Sequence, residues 1–330
     1  MSLASQQMPT ISSSEATAAQ DASARIAASA TATRAHTHKR DAKTVAPGAL
    51  LRAMRPRQWS KNVLVASAPC AAGVIARPEI AFRVAIAFGV FCLLASATYL
   101  LNDVRDAEQD RLHPRKHSRP VAAGELSPRT ALLAAGAMAV IALAGAWATA
   151  PLLAVVGAAY LAITASYSIW WRRIVAIDIL AIASGFVLRA VAGGAADHIH
   201  LSRSFLLVAG FGAVFLVAGK RYAELRDGVA PALTRATLRR YSPEALRGVL
   251  ILSAALATVA YAAWALAGPG HGLWHLLSLA PFSLWLARYG MLVAQGEGQS
   301  PEETIAGDRT LLALSAVWAI LFLAGIDASG

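Results

Sequence analysis

The chain has 330 residues, of which 57% are hydrophobic and only 15% charged, with a formal net charge of +11. A water-soluble domain carries nearer a quarter charged residues, so the composition excludes an ordinary soluble enzyme and points to a bilayer. The positive charge does not mark a nucleic-acid binder, because the basic residues fall between long apolar runs rather than along one solvated face.

Residues 1 to about 47 are rich in Ala, Ser, Thr and Gln and end in the basic patch Arg34, His36, His38, Lys39 and Arg40. No apolar run there is long enough for a signal-peptide core, and the stretch reads as a disordered cytoplasmic tail. From residue 48 to 330 the sequence predicts one all-α, polytopic domain. Apolar stretches of spanning length recur near 62–77, 82–101, 130–148, 151–169, 176–196, 204–219, 248–267, 274–294 and 310–326. Each needs about 20 residues to cross the hydrocarbon, fewer where the bilayer thins. Nine transmembrane helices are therefore expected, rich in Ala and Gly that let their backbones approach. Cys70 and Cys92 fall inside these apolar stretches, which predicts buried free thiols rather than a disulfide or metal site.

The loops alternate in charge. Between the second and third spans stand Arg105, Arg111, Arg115, Lys116 and Arg119; between the fourth and fifth, Arg172 and Arg173. After the sixth come Lys220, Arg221, Arg226, Arg235, Arg239, Arg240 and Arg247, whereas the intervening loops hold only Arg77, Arg83 and Arg203. The positive-inside rule makes the first set cytoplasmic, with the N-terminus inside the cell membrane and the C-terminus outside. Trp170 and Trp171 lie at a predicted boundary, where indole rings are favoured without any catalytic role.

Such a bundle serves a transporter as well as an enzyme, and the polar residues decide. Asn102, Asp103, Asp106 and Asp110 stand at the cytoplasmic end of the second span. If the helix continues, Asn102, Asp106 and Asp110 share one face, and stacked acids there call for a cation. Hard oxygen ligands without Cys or His favour Mg²⁺, which takes its remaining ligands from substrate phosphates and water. The plainer alternative is a solvated helix end paired with Arg105 and Arg111. The basic stretch from His113 through Lys116 to Arg119 follows at once, and metal on one side with cations on the other is what a diphosphate requires. His113 and His117 receive no role.

Charges within spans are costly and usually face a polar cavity. Asp178 and Arg189 lie close to three turns apart on one face with Gly185, and about 16 Å of helix rise argues against a mutual ion pair. Lys220, Arg221 and Glu224 end the sixth span, where Lys220 and Glu224 could form an ordinary i, i+4 pair. Arg288 reads as a snorkelling side chain. The run from Arg55 to Asn62, which includes Trp59 and Lys61, makes a basic, aromatic entry to the first span. Clustering of the acids at one membrane face, rather than at the midplane of broken helices, argues for an enzyme over a transporter.

These residues resemble the UbiA-type superfamily of intramembrane prenyltransferases over residues 50 to 327. Asn102-Asp103-x-x-Asp106-x-x-x-Asp110 is similar to its first acidic motif, and Tyr167-Ser168 followed by Arg172-Arg173 to its tyrosine-then-basic segment, with Arg172 in place of Lys. The usual second Asp-x-x-x-Asp motif is altered here to Gly219-Lys220-Arg221-Tyr222-Ala223-Glu224. With the Arg-Pro-x-Gln-Trp-x-Lys-Asn opening and the Gly-Phe-x-x-Arg of Gly185 to Arg189, this variant resembles the branch of decaprenyl-phosphate phosphoribosyltransferases. The resemblance implies transfer of phosphoribose from phosphoribosyl diphosphate to a polyprenyl phosphate, toward a cell-wall arabinose donor. It implies Mg²⁺ on Asn102, Asp103, Asp106 and Asp110, with Asp106, Asp110, Lys220 and Glu224 as the catalytic group. Substrate contacts are expected from Lys61, Asn102, Lys116, Arg119, Tyr167, Arg172, Asp178, Arg189, Lys220 and Arg221. Transfer of the prenyl group itself is the competing expectation, and the oligomeric state is left open, a homo-oligomer included.

Overall fold

Prolines punctuate this chain. Pro56, Pro78, Pro128, Pro151, Pro243 and Pro301 each open a helix, where the missing N–H has no partner to lose and the fixed φ suits the first turn. A computed structural model describes residues 48–114, 116–171, 174–226, 241–267 and 272–327; the predicted tail, 1–47, lies outside them. Helix α1 (Ala49–Met54), a 3₁₀ helix (Pro56–Ala66) and α2 (Ser67–Ala71) lead into α3 (Pro78–Arg105) and the short α4 (Ala107–Arg111). Then follow α5 (Pro128–Thr149), α6 (Pro151–Ile169), α7 (Val175–Ala196), α8 (Arg203–Arg226) and α9 (Pro243–Ala267). The last three are α10 (Leu273–Ala294), α11 (Pro301–Gly307) and α12 (Arg309–Asp327).

Among the described residues there is no strand, and eight helices are long and apolar enough to cross a membrane: α3, α5 to α10 and α12. The protein is a multi-pass, all-α membrane protein. The first predicted span, 62–77, is corrected to a broken segment, the 3₁₀ helix followed by α2. Pro69 cannot donate to the turn before it, and Asn62, fully buried, would be costly against lipid. The segment packs on α3 and α7, burying Asn62 and Val65 and leaving Val63 and Leu64 exposed. Contact is closest at Gly193, where an added Cβ would lie 1.8 Å from the Val65 carbonyl oxygen; only glycine permits that approach.

Helix α3 is central and α12 peripheral: their most apolar windows are 61% and 17% buried. Phe91, Leu94, Leu153 and Tyr160 anchor one core, and Phe215, Leu250, Leu286 and Tyr289 a second, with Ile179, Val217 and Leu246 joining them. On the outside, Leu133, Val140, Val259 and Ile320 are exposed, a surface suited to lipid and untenable in water. Cys92 is buried and Cys70 half-buried, both free.

Candidate functional site

The acidic run starts in α3 and finishes in α4. Asp106, with φ −92° and ψ 3°, interrupts the regular helix, yet its N–H still bonds Asn102 O at 2.9 Å and the Asp110 N–H bonds Asp106 O at 2.8 Å. Asn102, Asp106 and Asp110 thus keep their one-turn spacing through a bend rather than along one straight helix. The structure also brings Asp103 and Asp110 together. Arg119 Nη1 lies 3.3 Å from Asp103 Oδ1 and 2.6 Å from Asp110 Oδ2, and Arg55 pairs with the same Asp103 oxygen.

The sequence neighbours do not supply these partners. Arg105 donates to the Ile169 carbonyl and Arg111 to that of Ala122, each at 3.2 Å, which corrects the pairing considered from sequence. Arg55 arrives from the far side through a left-handed backbone, φ 56°, a conformation long side chains rarely adopt. Its guanidinium stands 4.9 Å over the Tyr99 ring.

Asp103 is almost wholly buried, and its Oδ2 has no hydrogen-bond partner. An orphaned buried carboxylate oxygen in an all-oxygen donor set fits Mg²⁺, which uses one or two carboxylates and completes its shell from phosphate and water. Among the described residues no group of three or more His, Cys, Asp or Glu side chains is placed to hold a metal ion.

Across the bundle, Asp178 of α7 and Arg221 of α8 form a buried pair, Nε to Oδ2 2.6 Å and Nη2 to Oδ1 3.0 Å. Tyr167 donates to Asp178 Oδ1, Tyr241 to Oδ2 at 3.3 Å, and Arg221 Nη1 reaches Glu224 at 2.7 Å. Burial, followed by the Asp178 charge, pushes the Tyr241 phenol above its ordinary range. Glu224 thus pairs with Arg221 three residues away. Arg189, as expected, does not meet Asp178. It donates to Asn62 Oδ1 (2.7 Å), Gly185 O (2.7 Å) and Tyr160 Oη (3.0 Å), three protein acceptors enclosing a buried guanidinium.

Lys61 Nζ lies 2.6 Å from Gln58 Oε1 and 3.2 Å from Glu302 Oε1 on α11. Lys220 is half-buried at the end of α8. Lys116 is half-buried in the basic loop, and Arg172 lies outside the described residues. Arg288, read as snorkelling, instead pairs with Asp308 at 2.7 Å.

Sequence reasoning quoted Arg55 and Asn62 in the opening stretch but gave neither a role at the site. It missed Tyr160, Tyr241 and Glu302. Their side chains carry no spacing signal, because each meets its partner only across helices.

A family model described as the UbiA prenyltransferase family matches residues 63–315. The decaprenyl-phosphate phosphoribosyltransferase of Mycobacterium tuberculosis is 43% identical over 278 residues, covering 82% of this chain and 91% of that protein. Its counterpart of the same name from Corynebacterium glutamicum is 41% identical over 288 residues, covering 84% and 86%. Among solved structures, a UbiA homolog from Archaeoglobus fulgidus bound to GPP and Mg²⁺ superposes with TM-score 0.64 at 19% identity, covering 85% of this chain and 99% of that one. The same homolog bound to DMAPP and Mg²⁺ gives TM-score 0.65. At that identity the likeness establishes the fold.

Proposed function

The chain belongs to the UbiA prenyltransferase family, and we propose that it transfers 5-phosphoribose from phosphoribosyl diphosphate to a polyprenyl phosphate, releasing diphosphate. The observation that carries this reading is the end of α8. Where prenyl-transferring members are expected to hold a second metal with an Asp, this chain presents the Lys220 ammonium, while Arg221 beside it is committed to Asp178 and Glu224. One metal ligand is exchanged for a positive charge, which suits a donor with an additional phosphate. The names of the relatives agree with that donor.

Asn102, Asp103, Asp106 and Asp110 would hold Mg²⁺, which when bound supplies positive charge to the leaving diphosphate. Lys61, Lys116, Arg119, Arg172 and Lys220 bind phosphate oxygens as charge-assisted donors. Tyr167, Asp178, Arg221 and Glu224 act through other groups, fixing the ends of α6, α7 and α8 around Lys220, and Arg189 ties α7 to α6 and to Asn62 of the opening segment. The polyprenyl chain lies along the apolar exterior with its phosphate at the membrane edge. A phosphate oxygen attacks the anomeric carbon as the bond to diphosphate breaks, inverting that centre. The attacking phosphate is already anionic, so no side chain need take a proton. Catalysis is by position and charge. The basic loops support a cytoplasmic location for this end of the bundle, in the plasma membrane.

The test is incubation of purified protein with labelled phosphoribosyl diphosphate and polyprenyl phosphate, with and without Mg²⁺, followed by lipid extraction. Label is expected in the lipid phase only with metal present. Transfer of a prenyl group from a prenyl diphosphate, with no labelled lipid, would overturn the reading.

A further inference from the structure

Two arginines are buried on the packed neighbours α7 and α8, and the chain surrounds them differently. Arg221 is 2% exposed and meets two carboxylates, Asp178 and Glu224. Arg189 is 6% exposed, and each of its hydrogen-bond partners is neutral: Nε donates to Asn62 Oδ1, Nη1 to Gly185 O and Nη2 to Tyr160 Oη. Arginine cannot shed its proton in a protein. A full positive charge is therefore held within α7, a helix long and apolar enough to cross a membrane. Such a charge is costly unless an anion meets it. Asn62 is the partner best placed to be one. It is fully buried, its amide donating to Cys92 Sγ at 3.2 Å while its oxygen takes Nε at 2.7 Å. Asp has nearly the same shape and would bring a carboxylate; the amide orients the guanidinium and leaves it charged.

A guanidinium has five N–H groups; one each on Nε, Nη1 and Nη2 is taken, which leaves one on each Nη nitrogen. Gly185, one turn nearer Asp178, faces Nη1 without a side chain: a Cβ there would stand 3.4 Å from it, so glycine keeps that side clear. Adjacent N–H groups of one guanidinium suit two oxygens of one phosphate. The place is also separate from the acidic ends. On α7, Arg189 lies 11 residues beyond Asp178, and on α3 the Cys92 that Asn62 touches lies 11 before Asp103, each about 16 Å of helix rise. The leaving diphosphate belongs with the acids, and Arg189 stands deeper in the bundle. We propose that the Arg189 charge is reserved for a phosphate monoester, and that Asn62 reserves it by aiming the guanidinium without neutralising it. Both are thereby specificity-determining residues, beyond their part in tying helices together. The proposed reaction contains two such monoesters, the polyprenyl phosphate and the 5-phosphate of the donor. Those two sources rest on the phosphoribosyl reading; the demand for an anion does not.

The probes are a short-chain polyprenyl phosphate and ribose 5-phosphate, titrated separately into the purified full chain in detergent and read by calorimetry, which needs no turnover. Asn62→Asp supplies the missing carboxylate; Arg189→Gln removes the charge and keeps an amide donor. Each should weaken one of the two probes about 10- to 100-fold, as for loss of a charge-assisted hydrogen bond, and the probe affected identifies the source. Inorganic diphosphate with Mg²⁺ should bind both variants within about twofold of the unsubstituted protein, as for distant sites. Arg189→Gln strands no acid, so its Tm should stay near normal, unlike that of Arg221→Gln, which strands Asp178. Asn62→Asp adds a partner to a buried charge and carries the test if Arg189→Gln does not fold. The proposal falls if neither probe binds the unsubstituted protein, or if both probes bind the folded variants as before. It falls also if the monoesters and diphosphate weaken together, which is the mark of a general disturbance. The turnover assay separates the two proposals. A monoester effect without phosphoribosyl transfer removes the functional reading and keeps the reserved charge; transfer with unmoved monoester affinities does the reverse.

Discussion

The acidic end of α3 and the acidic end of α7 are both neutralised by arginine, but in opposite ways. Arg55 and Arg119, which meet Asp103 and Asp110, are 27% and 25% exposed and lie outside the long helices. Arg221, which meets Asp178, is 2% exposed and bonded on three sides. The first pair of cations is partly exposed and within reach of substrate phosphates, although the acids it meets are buried. Arg221 is not, and removing either partner of its pair strands an ion in a dry interior. One end of the site is thus suited to ligand exchange, and the other is scaffold.

The sharpest way to break this contrast is to remove charge from each end in turn. Asp178→Ala should cost about 3–5 kcal/mol, because Arg221 loses its buried partner and keeps only the more exposed Glu224; a large drop in Tm in detergent is expected. Replacing Asp178 and Arg221 together by apolar residues should recover much of that loss, while Asp178→Ala alone with an unchanged Tm would refute the scaffold role. Asp106→Asn or Asp110→Asn should instead leave Tm near normal and lower turnover about 10²–10³-fold, as for loss of one strong electrostatic contact to a transition state. EDTA should abolish the remaining activity, and EDTA-resistant turnover would remove the metal assignment.

Lys220→Ala comes next, with a loss of about 1.5–3 kcal/mol in kcat/KM for the sugar-phosphate donor. A smaller effect is expected on the polyprenyl phosphate. Equal effects on both substrates, or none, would count against Lys220 as a donor-phosphate ligand. The smallest effect belongs to Arg52→Ala, which breaks an exposed pair with Glu125. About 0.2–1 kcal/mol of stability is expected, with activity retained. A severe kinetic defect there would mean that the exchangeable end reaches further than Arg55.

The one-turn spacing of Asn102, Asp106 and Asp110 was legible because helical period alone fixes it, and their one-turn hydrogen bonds persist through the bend at Asp106. The change to Lys220 was legible because it stands in a recognisable frame. The first span was misread, since hydropathy counts apolar residues and cannot register that Asn62 is wanted inside, as the acceptor for Arg189. Glu302 gave no signal at all: an acid after a proline in a loop looks like any capping residue until the fold sets Lys61 against it.

By itself the sequence determined the medium, the all-α class and eight of the long apolar helices. These follow from composition, period and local spacing, which are properties of neighbouring residues. Tertiary structure alone decided which cation meets which anion. Arg105 and Arg111 lie nearest the acids in sequence and serve backbone carbonyls, while Arg55, 48 residues from Asp103, and Arg221, 43 from Asp178, make the ion pairs. Coulomb attraction depends on separation in space, and in a bundle of crossing helices that separation is set by packing rather than by position along the chain.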